Sequence, residues 1–447
     1  MKRIFFLLFT LVLIYTPLAG HTGPKEDYEE AYKLYITAGT SVAAYDDRIG
    51  ELTNHYLEQD GWKIDHYIQP EGHNGARFVL AQKANQAGGT TYIIAIVGTE
   101  SSEDIKMDLS FDKVYFAGTN LDEFAANAAK KDVPNTEPKV HRGFNKFVQA
   151  GPAATLRNVK FNSHLLIDLI KSNKNDMLYL TGHSLGGAAA TLAGARLLSS
   201  GINPDQIEVI TFGAPAVGNA AFAAKFEGLL HLTRVVNSGD AVTGILQTLV
   251  GGYQQFGREI KWNLPDTLDK PHNLTAYVDS ALKNYYDKRR LAIQAGINLP
   301  EQLTTQQTNF DRIYTAPLQN SLPHQLTADF GYMCEALDDE HRQTLPNSII
   351  ASNSTPLTWQ QAATASNCRL AILSEVSAVR LKQEKNTYHI ILNQTVYDVT
   401  TGAIVNMATF STATYNLTPL EAFIHDFKGI RDSEASWLNQ RSSAKDG

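Results

Sequence analysis

Apolar positions along this chain fall into two periods. "ARFVLAQKA" (residues 76–84) and "TTYIIAIVGT" (90–99) read as strands separated by the Gly88-Gly89 turn, and the second is a continuous apolar run suited to a central strand. Tyr28–Leu57 carries apolar and aromatic residues at three- and four-residue intervals, which predicts an amphipathic helical lead-in. Residues 117–139 are polar, alanine-rich and broken by proline, the pattern of a surface excursion, and residues 143–170 read as mainly helical with a break at Gly151-Pro152. "MLYLTGHSLGGAAATLAGARLL" (177–198) is an apolar run that stops in a glycine-flanked serine and continues at helical spacing. Further strands follow in "IEVITFGAPAVG" (207–218) and "LTRVVNSGD" (232–240). Strands alternating with helices predict an α/β fold with a mainly parallel sheet covered on both faces.

Beyond about residue 290 the pattern changes. "PEQLTTQQTNF" and "PNSIIASNSTPLT" read as linkers, whereas residues 386–415 alternate like strands around a Thr401-Gly402 turn. The chain therefore divides into residues 1–20, residues 21–290 as the α/β unit, and residues 291–447 as a small α+β or β-rich extension with no role legible in its sequence. At 447 residues, one large domain plus a smaller one is the expected organisation.

The first segment is not expected to belong to the fold. Lys2 and Arg3 precede the apolar run Ile4–Tyr15, and the small residues Ala19 and Gly20 follow, the layout of a secretory signal. The run is shorter than the roughly 20 residues a bilayer-spanning helix needs. An uncleaved anchor is the alternative to cleavage and export to a secreted or periplasmic location. Losing Lys2 and Arg3 takes the formal charge from -7 to -9. That sign disfavours nucleic acid as a partner. Cys334 and Cys368 either pair in the exported chain or remain buried thiols, and no metal-ligand spacing surrounds them.

Gly182-His183-Ser184-Leu185-Gly186, between a strand and a helix, has the form of a nucleophile elbow. An ordinary glycine turn with an incidental serine is the competing reading. A serine hydroxyl needs a base to take its proton and an acid to orient that base. Asp240 ends an apolar strand, where sheets deliver active-site groups, whereas Asp205, Asp266 and Asp269 lie in polar surroundings. His272 follows in a loop before an apolar segment, with His231, His324, His389 and His425 as competitors. The amide of Leu185, next to the serine, is the natural oxyanion donor.

"TGHSLGGA", "VHRGF" (140–144), "TFGAPAVGN" (211–219), "RVVNSGD" (234–240) and "GYQQFGREIKW" (252–262) together resemble the class 3 lipases, which include filamentous-fungal triacylglycerol lipases. The resemblance spans roughly residues 85–280. It implies an α/β-hydrolase fold, hydrolysis of carboxylic esters of lipids, and a triad matching Ser184, Asp240 and His272. It also implies Thr99 in "IVGTES" as the second oxyanion donor, Gly98-Thr99 as a plain strand-ending turn being the alternative. A lid is implied over Glu100–Phe116, with a surface loop lacking any gating role as the alternative.

Several positions depart from that pattern: Ile96 and Val97 replace a phenylalanine and an arginine, Ala216 stands where an arginine is common, and no proline follows Asp240. These bear on the acyl pocket and leave the triad positions intact. The expected function is an exported serine hydrolase, either an acylglycerol lipase or a phospholipase A. It would need no cofactor or metal, and would meet a lipid ester with possible contact to a lipid surface. A lipid- or partner-binding module without turnover, and a feruloyl-type esterase or peptidase, are the alternatives.

Overall fold

Among the described residues, eleven strands precede residue 263: β1 (Lys63–Ile68), β2 (Arg77–Ala84), β3 (Thr90–Ile96), β4 (Lys113–Tyr115), β5 (Lys139–His141), β6 (Lys160–Phe161), β7 (His164–Leu165), β8 (Met177–His183), β9 (Ile207–Phe212), β10 (His231–Asn237) and β11 (Arg258–Trp262). Seven of them form one sheet in the order β1-β2-β3-β8-β9-β10-β11. β1, β2 and β3 run antiparallel, and every pairing from β3 to β11 is parallel. The computed structural model describes residues 23–45, 57–58, 60–68, 77–98, 112–150, 160–161, 164–264, 270–299, 312–345, 347–351, 357–382 and 386–443. The expected signal segment, Thr99, most of the expected lid (100–111), the Gly151-Pro152 break and the linker 300–310 lie outside the described residues.

The strands are apolar on both faces because both faces are covered. On one side Leu180 and Val209 pack with Ala189, Leu192 and Ala193 of the helix Leu185–Ser199. On the other, Ile210, Phe212 and Val235 meet Leu34, Ala38 and Val42 of the N-terminal helix Pro24–Ala43 and Tyr277, Val278 and Ala281 of the long helix Leu274–Gln294. Adjacent residues of β9, Val209 and Ile210, thus enter opposite cores, as strand geometry requires. Helices on both faces of a mainly parallel sheet, with an elbow after a central strand, constitute the α/β-hydrolase arrangement.

A second sheet follows, built from β12 (Ile313–Thr315), β13 (Gln319–Ser321), β14 (Ser348–Ile350), β15 (Leu370–Arg380), β16 (Tyr388–Asp398) and β17 (Ile404–Ala413). β15, β16 and β17 form an antiparallel meander, and β12, β13 and β14 add parallel pairings. The predicted Thr401-Gly402 turn joins β16 to β17, with Gly402 at φ 69° and its N–H donating to the Asp398 carbonyl. The long helix is common to both layers: its Leu282, Tyr285 and Tyr286 pack with Leu326, Met333, Leu337, Phe423 and Phe427 of the extension.

Several expectations from the pattern need correction. The N-terminal helix ends at Ala43, and residues 46–56 of the expected helical lead-in lie outside the described residues. The excursion 117–139 contains the helix Leu121–Ala128, with Asn120 Oδ1 accepting from the Glu123 N–H at 3.0 Å. The linker "PNSIIASNSTPLT" contains β14, because Ser348–Ile350 finds a parallel partner in β12. Of the two alternatives left open for Cys334 and Cys368, the structure has free thiols, the first partly buried and the second buried.

Candidate active site

β8 ends at His183 and the helix begins at Leu185, leaving Ser184 alone at φ 55°, ψ −122°. That left-handed conformation costs an L-residue about 1–2 kcal/mol. The surroundings hold it: the Ser184 N–H donates to the Phe212 carbonyl at 2.9 Å, and its own carbonyl accepts from Ala188. The flanking glycines are required by contact. A Cβ on Gly182 would sit 2.5 Å from the Gly186 carbonyl carbon, and one on Gly186 would sit 2.1 Å from the Ile96 oxygen. Strand β3, strand β8 and the helix therefore close around the serine at backbone distance.

The loop 270–273 brings His272 over the carboxyl ends of the parallel strands. His272 Nε2 lies 3.0 Å from Ser184 Oγ, and Nδ1 lies 2.9 and 3.0 Å from the two Asp240 oxygens. A carboxylate only accepts, so Nδ1 carries the proton and the bare Nε2 accepts from the serine hydroxyl. Two further hydrogen bonds hold Asp240, whose side chain is fully buried: Tyr277 OH donates to Oδ2 at 2.6 Å and the Val242 N–H donates to Oδ1 at 2.9 Å. Burial alone would raise the Asp240 pKa. The hydrogen bonds and charge of His272, with those from Tyr277 and Val242, outweigh burial and hold the carboxyl below its usual range. Asp240 is thus kept as an anion beside the imidazole.

The base loop has its own supports. Asn237 Nδ2 donates to the Pro271 carbonyl at 3.0 Å. His183 Nε2 lies 2.6 Å from the His272 carbonyl, so this nitrogen carries the proton and donates. Burial, then the neighbouring His272, pushes the His183 pKa down to about 3, which keeps its ring neutral. Tyr277 OH also accepts from the Asn237 N–H at 3.1 Å, joining the end of β10 to the long helix.

Ser184, Asp240 and His272 are therefore brought together, although 32 and 88 residues separate the pairs that touch. Leu185 opens its helix, so its N–H has no intrahelical acceptor and is positioned beside the serine. Thr99 lies outside the described residues, as do Asp266 and Asp269. Asp205 sits in a one-turn helix before β9, His231 is exposed at the start of β10, and His324, His389 and His425 belong to the extension. Ala216, Ile96 and Val97 are buried apolar residues. Sequence reading missed three supporting residues: His183, Asn237 and Tyr277. The available signals were their places beside the serine, at the end of an apolar strand, and five positions after His272.

The family described as Lipase (class 3) matches residues 93–249. A lipase of Caenorhabditis elegans, ZK262.3, is 45% identical over 75 residues, covering 16% of this chain and 21% of that protein. Phospholipase A1-II 3 of Oryza sativa subsp. indica is 28% identical over 169 residues, 32% of this chain and 39% of that protein. The toxin TseL of Vibrio cholerae is 28% identical over 284 residues, 59% of this chain and 39% of the toxin. The chain thus spans between about a fifth and two-fifths of the length of these relatives. Residues 93–249, the segment that holds the elbow serine, are thus similar to the class 3 lipases.

Proposed function

We propose that this protein is an exported serine hydrolase that cleaves carboxylic ester bonds of lipids through a covalent acyl-enzyme, with residues 21–290 as the hydrolase and residues 291–447 as an extension built onto it. The observation that carries the reading is the continuous relay from Asp240 through His272 to Ser184, at 2.9 and 3.0 Å. Ser184 Oγ attacks the ester carbonyl carbon as its proton passes to His272 Nε2. The resulting imidazolium is stabilised by the Asp240 anion. Negative charge on the carbonyl oxygen is met by the Leu185 N–H, with Thr99 as the proposed second donor. Collapse expels the alcohol, which takes the proton from His272. Water then enters, gives a proton to the same nitrogen, and releases the acid by the reverse of these steps.

The substrate class is supported by the match of residues 93–249 to the class 3 lipases and by relatives named as a lipase and a phospholipase A1. The test uses protein without residues 1–20, p-nitrophenyl esters of graded chain length, and vesicles of neutral or phospholipid esters. Hydrolysis of acyl esters abolished by Ser184→Ala is the expected result. Lipid binding without turnover on any ester overturns the reading in favour of a binding module, and peptide cleavage without ester preference redirects it. Export is tested by fractionating cells that make the full chain and determining the N-terminus of the exported form.

A second reading, that the hydrolysis harms another cell, is favoured by the match to the toxin TseL, which extends over 59% of this chain. Targeting the protein to the periplasm of a bacterium that lacks it distinguishes the two. Growth arrest relieved by Ser184→Ala supports a toxin, and normal growth with active enzyme removes this reading.

A further inference from the structure

The extension grips the helix that follows the base. The long helix begins at Leu274, two residues after His272, and its Tyr277 donates to Asp240. One turn further on, the helix leaves the parallel sheet's core and enters the extension's core. At this changeover it carries two charged residues in a largely dry position. Asp279, 1% exposed, accepts from Thr418 Oγ1 at 2.7 Å and pairs with Lys283 at 2.7 Å. Lys283 pairs in turn with Asp329 at 2.6 Å. Asp329 and Thr418 both belong to the extension, each standing at the start of one of its helices.

The neighbouring charges close the account. Glu421, in the same helix start as Thr418, accepts from the Thr418 N–H at 3.1 Å. Burial, then the adjacent Asp279, raises its pKa well above the usual carboxylate range. Lys283 lies between the carboxyl groups of Asp279 and Asp329. Burial alone would depress Lys283, but Asp279 and Asp329 outweigh it and raise its pKa. A cation bridging a carboxylate of the helix and one of the extension adds a directional restraint on the helix to that of the apolar contacts. Such directional bonds, two residues beyond Tyr277, bear on the helix turn that holds Asp240 and follows His272.

We propose that the extension is a positioning element for the proposed base, and that Thr418, Asp279, Lys283 and Asp329 are its positioning residues. They touch none of the reacting atoms. They hold the long helix in the register that keeps Tyr277 on Asp240 and His272 over Ser184. This inference rests on the hydrolase reading for its kinetic consequences and on the geometry alone for its structural ones.

The test takes the full chain without residues 1–20 and compares wild type with Thr418→Val, Thr418→Ser and Lys283→Met. Two readouts are normalised to folded protein: kcat and KM on a soluble p-nitrophenyl ester, and the low-field proton resonance of His272 Nδ1–H, identified by its loss in His272→Ala. Thr418→Val is expected to lower kcat about fivefold with KM changed less than twofold, and to shift the Nδ1 proton. Thr418→Ser is expected to restore both. Lys283→Met leaves buried carboxylates unpaired and is expected to lower kcat by tenfold or more in whatever fraction folds. If Thr418→Val and Lys283→Met lower only stability, with kcat per folded molecule and the Nδ1 resonance unchanged, the network is structural and the proposal is wrong. Should wild type hydrolyse no ester, the hydrolase reading has failed. The resonance of Thr418→Val then still decides the positioning claim.

Discussion

Replacing Tyr277 by Phe removes one oxygen and nothing else, and that oxygen serves two partners at once. It donates to Asp240 Oδ2 at 2.6 Å and accepts from the Asn237 N–H at 3.1 Å, in a place where Asn237 is fully buried. A hydrogen bond to a charged group contributes about 1.5–3 kcal/mol, and a buried N–H left without an acceptor costs about 1–3 kcal/mol. The two losses share an atom and overlap, so a destabilisation of about 2–4 kcal/mol at pH 7 is expected. The charged part depends on pH. Asp240 has its pKa depressed in the folded state, so its contribution is present above the unfolded carboxylate value and is lost as pH falls through the folded one. The deficit of Tyr277→Phe relative to wild type therefore narrows below about pH 4, leaving mainly the Asn237 share. With one anchor gone the carboxylate is freer to turn away from His272, and kcat is expected to fall about tenfold, near 1.4 kcal/mol of barrier. Urea denaturation of wild type and variant at pH 7 and pH 3, with ester kinetics per folded molecule, measures both effects. A destabilisation under 0.5 kcal/mol at pH 7, unchanged at pH 3, would refute the role assigned to this hydroxyl.

Three further outcomes are expected. Ser184→Gly removes a left-handed non-glycine residue, so it should abolish ester turnover while raising unfolding free energy by about 1 kcal/mol, read from paired denaturation curves. Gly186→Ala forces a Cβ to within 2.1 Å of the Ile96 oxygen, so β3 and the elbow helix must separate. A loss of at least about 3 kcal/mol, or no soluble protein, is expected, and a variant of wild-type stability would contradict the packing described. Stability should also peak near neutral pH. Burial raises Glu434 to about 8 and Asp426 to about 7, so their contribution is fully present below the ordinary carboxylate range and is lost as pH climbs through those values. Burial lowers His141 and His341 to about 4 and His183 to about 3, so theirs is present above 6.5 and lost as pH falls. Thermal unfolding between pH 4 and pH 9 tests this. Glu434→Gln should flatten the alkaline side, and an unchanged alkaline slope would count against a neutral Glu434.

What could be read from the chain was local. The elbow is contiguous: strand, serine and helix lie within residues 177–198, and glycine at 182 and 186 is demanded by backbone contacts that recur wherever such a turn is made. Asp240 was legible for a related reason, since an apolar strand that runs into a lone acid three residues on delivers that acid to the carboxyl ends of the parallel strands. The helix Leu121–Ala128 escaped notice because Phe124 is its one buried residue, so no apolar stripe marks it; its Asn120 cap was the remaining sign. β12 and β14 escaped because three residues are too few to carry a period and their pairing is with each other and β15.

The choice of His272 among five histidines belonged to tertiary structure. Its loop is drawn over the serine by Asn237 at the end of β10, His183 at the end of β8 and the helix that Tyr277 anchors. The grip of the extension on that helix is likewise invisible along the chain, since Asp279 meets Thr418 across 139 residues. Periodicity and turn chemistry act between neighbours and so leave a trace in the order of residues. A single polar side chain that finds one distant partner leaves none, because the energy that selects the pair exists only once the intervening layers have packed and excluded water.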